Sequence, residues 1–360
     1  MIKRDEKHEI GDPGPLATES RKAKHVELVV REQVEHREKR TDFDDFDFEH
    51  NALPELAFSE IETEITLFGQ PLRVPLIISS MTGGYADATQ INRALAGTAE
   101  RYGLAMGVGS ERQALENNRH HSSFSVVREA APNAFIFANI GGVEVSRLHA
   151  NRKVAELRKI IDLVQANALA VHLNPLQELL QPEGSRDFRG VLDGIAACAK
   201  ELGVPIMVKE VGAGISKAVA RKLLDVGVRA IDVAGAGGTS WAGVEILRND
   251  DRTKAMLDPF WDWGIPTAQA LANVSELKSE YDFDLIASGG IRNGLDIAKS
   301  LVLGANAAAV ARPLIQAYID GGEEALFALL DTLIYQLRAA MFLTGSPDVA
   351  SLKQQHLITR

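Results

Sequence analysis

The stretch DLIASGGIRNGLDIAKSLVLGANAAAVAR, residues 284–312, decides the fold that we expect for this chain. It predicts a strand over residues 285–288, a tight Gly-Gly-Ile-Arg turn, a helix over about residues 295–303 and a second strand over residues 307–311. Two parallel strands joined by a crossover helix lie side by side and end at the same edge of the sheet. This βαβ unit fits the last two strands of a (β/α)8 barrel.

The turn inside this unit carries a candidate binding site. Gly289 and Gly290 leave backbone N–H groups accessible, and Arg292 adds a fixed fork of donors. In a (β/α)8 barrel the loops after strands seven and eight commonly bind a phosphate beside a helix N-terminus. The alternative is that the two glycines only form a tight turn, but their order with the arginine and the second strand favours a phosphate site.

Composition excludes several classes of protein. The chain has 360 residues, 46% of them hydrophobic, so it is long enough for one large α/β domain or two smaller ones. Its net charge of -10 argues against a nucleic-acid or anionic-membrane binder, because those need a basic face. A single cysteine, Cys198, excludes an intrachain disulfide framework. Without an apolar run of about 18 residues or a signal peptide, we expect a cytoplasmic protein that does not enter a membrane.

Short apolar strands alternate with helical patterns from residue 74 onward. Strands that are apolar on both faces are typical of a parallel barrel, and eight βα units favour a closed (β/α)8 TIM barrel over an open sheet. We expect an N-terminal arm and extension over residues 1–73 that pack on the barrel, a barrel over residues 74–345 and a C-terminal tail over residues 346–360. The predicted strands are residues 75–80, 105–108, 135–140, 168–173, 205–210, 230–234, 285–288 and 307–311, and the predicted helices include residues 88–102, 147–165, 191–202 and 217–226.

Three segments lie outside this repeat. Residues 1–20 are polar and contain Gly and Pro, which is typical of a mobile tail. Residues 61–68 alternate in polarity and predict a separate strand. The connection over residues 239–267 follows strand six and carries Trp241, Trp261 and Trp263. A connection of that length is usually functional, and we leave open whether it is a lid or an interface.

Lys209 stands inside an otherwise apolar predicted strand, where a charged group is costly without a partner. Three interpretations are open. It could form a Schiff base, lie beside an anionic cofactor, or pair with Glu210 or another carboxylate of the barrel.

The sequence HLNPLQE, residues 172–178, follows predicted strand four. His172 alone could be a hydrogen-bonded core histidine. Together, an imidazole, two amides and a carboxylate at one strand end can bind an anion and hold a divalent ion through oxygen. Glu178 is the candidate metal ligand, because magnesium is usually held by one or two carboxylates and the phosphates of a substrate.

Nine segments together resemble the type 2 isopentenyl-diphosphate isomerases, which are FMN-dependent (β/α)8 barrels. The resemblance covers about residues 21–312 and follows the order of the strands. SGGIR alone indicates only an FMN or phosphate barrel, whereas HLNPLQE with the basic arm RKAKH is much more specific. The segments are RKAKH (21–25), SSMTGG (79–84), GVGSERQAL (107–115), FANIGG (137–142), HLNPLQE (172–178), VKEVGAGIS (208–216), AGAGGTSW (234–241), DWGIPT (262–267) and SGGIRNGLDIAKSLVLGA (288–305).

The resemblance implies interconversion of isopentenyl diphosphate and dimethylallyl diphosphate, a 1,3 proton shift without net redox change. It implies reduced FMN as the acid and base, together with magnesium (Mg2+) and NADPH or another reductant. It also implies a homo-oligomer whose N-terminal arm reaches a neighbouring subunit.

Residue roles follow from the resemblance by position. An acidic chain needs a local basic patch for a diphosphate, so the arm becomes a binding element, although a basic helix face is ordinarily only solvated. Catalysis falls to Gln177, Lys209 and His172, and magnesium to Glu178. Substrate binding falls to Arg21, Lys22, His25, Arg112, His172, Asn174 and Gln177. FMN binding falls to Met81, Thr82, Gly83, Ser110, Asn139, Lys209, Thr239, Gly289, Gly290, Arg292, Ala311 and Arg312.

Other functions are open alternatives. A hydroxy-acid oxidase would use the same FMN barrel, but it pairs a His with an Arg, and no His follows strands six or seven. An inosine monophosphate dehydrogenase needs a loop cysteine, whereas Cys198 falls within a predicted helix. A non-catalytic phosphate-ligand sensor would need no lysine and amide cluster beside its phosphate site.

Overall fold

Eight parallel strands close into a barrel in the computed structural model, which describes residues 15–360 and, before residue 24, the side chain of Lys22 alone. Each strand pairs with the next along the chain, and the eighth pairs with the first. The predicted (β/α)8 barrel is confirmed, and each predicted strand is present to within two residues at its ends. The strands are β1 Leu76–Ile78, β2 Ala105–Gly107, β3 Phe135–Gly141, β4 Ala168–His172, β5 Ile206–Lys209, β6 Ala230–Asp232, β7 Asp284–Ser288 and β8 Ala307–Val310.

The barrel strands are buried on both faces, as their unbroken apolar runs predict. Successive side chains point alternately inward and outward. Phe137 and Met207 belong to the cluster that fills the barrel, whereas Ile136 and Val208 pack under the surrounding helices. The interior is therefore a packed core, and binding space is left only beyond the strand ends.

A hairpin closes the amino-terminal end of the barrel. The strand predicted over residues 61–68 is wrong in extent, because only Ile65–Leu67 is a strand, paired with Gln70–Leu72. The chain reverses at Phe68 and Gly69, which both have positive φ. The Phe68 ring stacks on Phe135 with a centroid distance of 5.5 Å, so this hairpin is part of the barrel core.

Helices surround the barrel, and most agree with the predicted spans. The helix predicted over residues 147–165 is wrong: Asn151 and Arg152 interrupt it, and Arg152 has a φ of 58° that a helix cannot include. The α-helices are α1 Pro15–Arg31, α2 Ala88–Tyr102, α3 Arg112–Glu116, α4 Ser122–Ala130, α5 Gly142–Ala150, α6 Arg158–Leu163, α7 Pro175–Leu180, α8 Val191–Glu201, α9 Lys217–Asp225, α10 Trp241–Leu247, α11 Asp251–Leu257, α12 Thr267–Ser275, α13 Gly294–Val302, α14 Arg312–Leu343 and α15 Val349–Leu352.

The N-terminal extension packs on the barrel from outside. Of the predicted mobile tail, residues 1–14 lie outside the described residues, and the prediction is wrong for residues 15–20, which belong to α1. An extended segment after α1, residues 33–41, crosses the mouth beside β6, where Ser240 N donates to Val34 O at 2.7 Å. Farther along, Phe46–Phe48 pairs with Leu357–Thr359 near the C-terminus.

The long connection after β6 contains α10 and α11 instead of an irregular loop. Trp261 is buried and donates through Nε1 to Glu35 O at 2.9 Å. Trp241 lines the mouth of the barrel, whereas Trp263 is 60% exposed. The three tryptophans therefore have three different environments.

Helix α14 is long and apolar enough, by length and composition alone, to cross a membrane. Its backbone leaves helical geometry at Gly321 and Gly322, so it consists of two helices that meet at a kink. Leu326, Leu333 and Leu337 are buried in the core of the protein. These contacts are those of a helix in the outer ring of the barrel.

Candidate active site

A deep cavity opens at the carboxyl ends of the barrel strands, with a volume of about 1730 Å³ when the solvent space at its mouth is included. The side chain of Arg21 lies outside the described residues. The other predicted site residues all line the cavity: Lys22, His25, Met81, Thr82, Gly83, Ser110, Arg112, Asn139, His172, Asn174, Gln177, Glu178, Lys209, Thr239, Gly289, Gly290, Arg292, Ala311 and Arg312.

One side of the cavity is built from backbone. Gly289 and Gly290 have φ values of 98° and 76°, which favour glycine. A Cβ at Gly289 would lie 2.1 Å from the carbonyl oxygen of Gly235, and a Cβ at Gly238 would lie 2.4 Å from the nitrogen of Gly290. The loops after β6 and β7 therefore touch backbone to backbone, and a larger residue would separate them.

The same close packing continues after β1 and β2. Gly109 N donates to Thr82 O at 2.8 Å, and a Cβ at Gly109 would lie 2.5 Å from the Thr82 carbonyl carbon. Gly83, with a φ of 152°, lies against the ring of Phe124. Because β8 pairs with β1, these small residues form one arc of the mouth from β6 round to β2.

Positive charge lies within this arc, after β7 and β8. Arg292 Nη2 donates to Glu35 Oε1 at 2.6 Å, and Arg312 Nη1 lies 3.2 Å from the same oxygen. Helix α14 begins here, with Ala311 at its N-cap. Two arginines, a helix N-terminus and two glycines with positive φ are groups that can bind an anion together. We call Gly289, Gly290, Arg292, Ala311 and Arg312 the phosphate cup.

Lys209 ends β5 as a buried cation at the floor of the cavity. Its Nζ donates to Glu210 O at 2.6 Å and lies 4.0 Å from Asp232 Oδ2. Asp232 Oδ1 accepts from Ser288 Oγ at 2.5 Å. Burial raises the pKa of Asp232, and the charge of Lys209 opposes that rise. The carboxylate that balances Lys209 is therefore Asp232, on the neighbouring strand.

Glu210 does not form the ion pair that was one of the open interpretations for Lys209. Its Oε2 accepts from the backbone N–H groups of Val211, Gly212 and Ala213 at 2.5–2.7 Å. Burial raises the pKa of Glu210, and these three hydrogen bonds counteract it. Glu210 thus shapes the loop after β5 with its carboxylate, while only its backbone oxygen binds the lysine.

His172 ends β4, and its hydrogen bonds define its tautomer. Asn139 Nδ2 donates to Val108 O at 3.0 Å, so Asn139 Oδ1 is the atom that faces His172 Nδ1 at 2.9 Å. Nδ1 therefore carries the proton, and Nε2 is an acceptor that faces Gly141. Burial lowers the pKa of His172 to about 3, and the charges of Lys209 and Lys22 add to the effect. The ring is neutral at pH 7.

A polar cluster opposite the glycine arc is organised around Glu245, a fully buried residue of α10. Glu245 Oε1 accepts from Gln177 Nε2 at 2.8 Å and lies 3.0 Å from His25 Nε2, while Arg248 pairs with its other oxygen. Burial raises the pKa of Glu245, but the hydrogen bond and charge of His25 and the charge of Arg248 outweigh it, so the net shift is downward. Asn174 Nδ2 donates to Gln177 Oε1 at 3.1 Å, and both polar atoms of the Gln177 amide therefore have partners.

Basic residues lie between this cluster and the β2 end of the arc. Lys22 Nζ donates to Ser110 O at 2.7 Å and lies 5.3 Å from the centre of the Phe124 ring. Arg112 pairs with Glu116 at 3.0 Å and with Glu144 at 3.3 Å. The basic arm thus reaches from Glu245, through His25, to the loop after β2, through Lys22.

Glu178 lies in the first turn of α7 and lines the same cavity. Its Oε2 accepts from Ser185 N at 2.6 Å, and its Oε1 accepts from Asn174 Nδ2 at 3.3 Å. Among residues 15–360, as far as their side chains are described, no group of three or more His, Cys, Asp or Glu residues could hold a metal ion. A cation bound here would therefore take most of its oxygen ligands from a substrate or from water, as magnesium commonly does.

Three functional candidates were missed by sequence reasoning. Glu245 lies in the long connection after β6, Asp232 in a barrel strand, and Glu35 in the extension. Asp232 could have been found by the signal that identified Lys209, since it is also a charge inside an apolar strand. Glu245 and Glu35 carry no such signal, because single acidic residues in helices and loops are usually solvated.

Comparison with known proteins identifies the family. Residues 18–129 and 152–359 match the family model for FMN-dependent dehydrogenases. The isopentenyl-diphosphate delta-isomerase of Chlorobium limicola is 47% identical over 353 residues, which is 95% of this chain and 96% of that protein. The isopentenyl-diphosphate delta-isomerase of Stutzerimonas stutzeri is 47% identical over 340 residues, which is 94% of this chain and 96% of that protein.

The chain belongs to the isopentenyl-diphosphate delta-isomerase family. The resemblance drawn from the motifs is thereby confirmed. Solved structures share the fold of this isomerase family member: a Pediococcus acidilactici putative lactate oxidase superposes with a TM-score of 0.66 at 15% identity, covering 99% of this chain and 97% of that chain. A mandelate oxidase variant with (S)-mandelic acid superposes with a TM-score of 0.64 at 17% identity, covering 96% and 98%.

The cavity of this isomerase family member fits FMN. Gly109, Gly289 and Gly238 stand where any Cβ would collide with neighbouring backbone, which leaves a thin wall for a planar ring. The phosphate cup places two arginines within that wall, after β7 and β8. Lys209 adds a buried cation at its floor. These features match a planar cofactor with one anionic group.

Proposed function

We propose that this protein interconverts isopentenyl diphosphate and dimethylallyl diphosphate with FMN as its cofactor. The observation that carries the proposal is the division of one cavity into two sides. A backbone wall with a phosphate cup lies on one side, and the Gln177–Glu245 cluster with the basic arm lies on the other. A cofactor phosphate and a substrate diphosphate then have separate anion sites, while the reacting groups meet between them.

FMN would be held by the glycine arc, the phosphate cup, Asn139 and Lys209. When bound in its reduced form, FMN would supply the proton donor and acceptor for the 1,3 shift. Lys209 brings a buried positive charge to the cofactor, which favours the anionic form of a reduced flavin. The neighbouring Asp232 keeps that lysine in place through a charge 4.0 Å away.

The chain's own residues would bind and orient the substrate. Lys22 and Arg112 supply positive charge for the diphosphate, with His25 on the same helix as Lys22, and a guanidinium binds phosphate oxygens in pairs. Gln177 presents an amide whose orientation is set by Asn174 and Glu245. A fixed amide in the cavity can orient the substrate by hydrogen bonding and so assist the proton transfer, without a search among rotamers.

The neutral His172 would act as an acceptor. Its Nε2 has no proton in the tautomer set by Asn139, so it can accept a hydrogen bond from a protonated diphosphate oxygen or from bound water. The ring is rigidly placed, because Asn139 is itself fixed to Val108. We assign His172 a substrate-orienting role at the boundary between the two sides.

The remaining requirements belong to the same proposal. Magnesium would bind Glu178 together with diphosphate oxygens. NADPH or another reductant would keep the flavin reduced. We also propose that the protein acts in the cytoplasm as a homo-oligomer, with the N-terminal arm serving a neighbouring subunit.

Anaerobic incubation tests the proposal. Purified protein with FMN, magnesium, NADPH and isopentenyl diphosphate should form dimethylallyl diphosphate, measured by product analysis. The same mixture without reductant should form little product. Oxygen consumption with a 2-hydroxy acid in place of the diphosphate would support a hydroxy-acid oxidase instead. Binding of FMN without either reaction would support a phosphate-ligand sensor, and failure to bind FMN after reconstitution would remove the central claim.

A further inference from the structure

The C-terminal end of α1 is held by the first residue of α14. Arg312 Nε donates to Val29 O at 2.7 Å, and its Nη2 donates to Glu32 O at 3.0 Å. One turn farther along, Gln316 Nε2 donates to Val30 O at 3.2 Å. The last carbonyls of a helix lack partners within the helix, and a cation there also interacts favourably with the helix dipole. Arg312 therefore caps α1.

This capping limits the hydrogen bonds that Arg312 can donate to a cofactor. Two of its nitrogens are committed to α1, and the third, Nη1, lies 3.2 Å from Glu35 Oε1. Arg312 is buried, so its guanidinium is packed in place. Arg292 differs: its Nη2 contacts Glu35, and its side chain is 36% exposed toward the cavity mouth. Arg292 is the arginine of the cup that can turn to a ligand.

Glu35 occupies the position between the two arginines. Its backbone is fixed, because it pairs with Thr239 and its carbonyl accepts from Trp261 Nε1. Burial raises the pKa of Glu35, but the hydrogen bond from Arg292 and the charges of Arg292 and Arg312 outweigh this and lower it. Glu35 is thus a charged carboxylate, and a phosphate that approaches Arg292 meets it as a competitor of like charge.

We propose that the two arginines of the cup have different roles, a division of labour. Arg312 positions α1 over the substrate side, whereas Arg292 leaves Glu35 and binds the cofactor phosphate. Lys22 and His25 lie on α1, so the capping of α1 sets the positions of two substrate-side groups. Arg312 is accordingly a positioning residue. The inference rests on the proposed FMN site and on the substrate role of α1, but its tests do not all need turnover.

Measurements of flavin binding distinguish the roles of the two arginines. FMN and riboflavin differ by the phosphate, so the ratio of their dissociation constants, measured by flavin fluorescence, isolates the cup. Arg292→Gln should weaken FMN binding about tenfold or more and leave riboflavin binding unchanged, since a charged hydrogen bond is lost. Arg312→Gln should change the ratio by less than about threefold. Glu35→Gln should tighten FMN binding severalfold, because it removes the competing charge.

Hydrogen exchange and kinetics test the positioning of α1. In Arg312→Gln, backbone amides of α1 should exchange faster, and the substrate KM should rise about tenfold with little change in kcat, as expected when binding geometry alone is disturbed. Arg312→Lys should recover part of the loss, since it keeps the charge with fewer donors. Arg338→Gln is the matched control. Arg338 also lies on α14 and donates to a carbonyl of the extension, Phe58 O at 2.8 Å, but it does not line the cavity.

Three results would overturn the proposal. Arg312→Gln could weaken FMN selectively while α1 exchange stays unchanged, which would make Arg312 a phosphate ligand. Glu35→Gln could weaken FMN binding, which would mean that Glu35 holds Arg292 in position for the phosphate instead of competing with it. Arg338→Gln could raise the KM as much as Arg312→Gln, which would make the effect general loosening of the extension. If isomerisation fails while the flavin ratio and the exchange of α1 change as expected, the proposed function falls and the division of labour stands.

Discussion

The two sides of the cavity are built from different parts of the chain. On the glycine arc, from β6 round to β2, binding surface comes from backbone, and glycines hold the loops within touching distance. On the opposite side it comes from side chains, and Glu245 alone contacts Gln177, His25 and Arg248. The first side is fixed by local chain geometry and the second by ionic partners from distant segments.

This difference determines how each side responds to change. A backbone surface cannot relax around an added atom, so steric substitutions should damage the arc. A buried ionic network tolerates shape changes better than the loss of one partner, because the remaining charge is left without compensation. Substitutions on the arc should therefore act through steric clash, whereas substitutions on the opposite side should act through a charge left without a partner.

The largest effect should come from Lys209, which lies between the two sides. Lys209→Met keeps the length of the side chain and removes its charge. We expect a loss of turnover of at least about 100-fold, the usual size when one electrostatic group of an active site is removed. Asp232 would lose its counter-charge and take up a proton, so the fold should survive. Measurement of turnover beside FMN occupancy by absorbance checks this, and unchanged turnover with bound FMN would contradict the role of Lys209.

Alanine substitutions at two glycines test the glycine arc, and their expected effect is smaller than that of Lys209→Met. Gly289→Ala would place a Cβ 2.1 Å from the Gly235 oxygen at a φ of 98°. We expect a loss of about 3 kcal/mol in the free energy of unfolding, since clash and strain add. The matched control is Gly190→Ala, at a φ of 75° with no atom within 4 Å, which should cost about 1 kcal/mol. Urea unfolding of both variants measures the difference, and equal losses would show that the loops can separate without cost.

The arc was predictable from sequence for a physical reason. Glycines that must accept positive φ or close backbone contact leave a local signature, and SGGIR after an apolar strand places it at the mouth of a barrel. The eight strands were predictable because burial on both faces gives unbroken apolar runs. The prediction of a strand over residues 61–68 was wrong in extent, because the alternating polarity did not show where the chain reverses, at Phe68 and Gly69.

The ionic side of the cavity, around Glu245, was predictable only in part. HLNPLQE identified Gln177, but nothing in the sequence showed that its partner would be Glu245, 68 residues later in the chain. Glu35 likewise meets Arg292 across 257 residues. Such pairs depend on how the extension and the connection after β6 fold over the barrel. Local patterns carry no information on this, so single acidic residues in those segments looked like solvated surface.

The smallest effect should be a change in pH dependence on the ionic side. Burial and the charges of Lys209 and Lys22 lower the pKa of His172 from 6.5 to about 3. Between those values the unfolded chain binds a proton that the folded chain does not bind, so this contribution to stability is complete above pH 6.5 and lost as the pH falls toward 3. His172→Asn removes the titrating ring. Between pH 7 and pH 5 the variant should therefore lose about 1–2 kcal/mol less of its free energy of unfolding than the parent protein. Urea unfolding at both pH values checks this, and parallel losses in the two proteins would mean that His172 is protonated in the folded state.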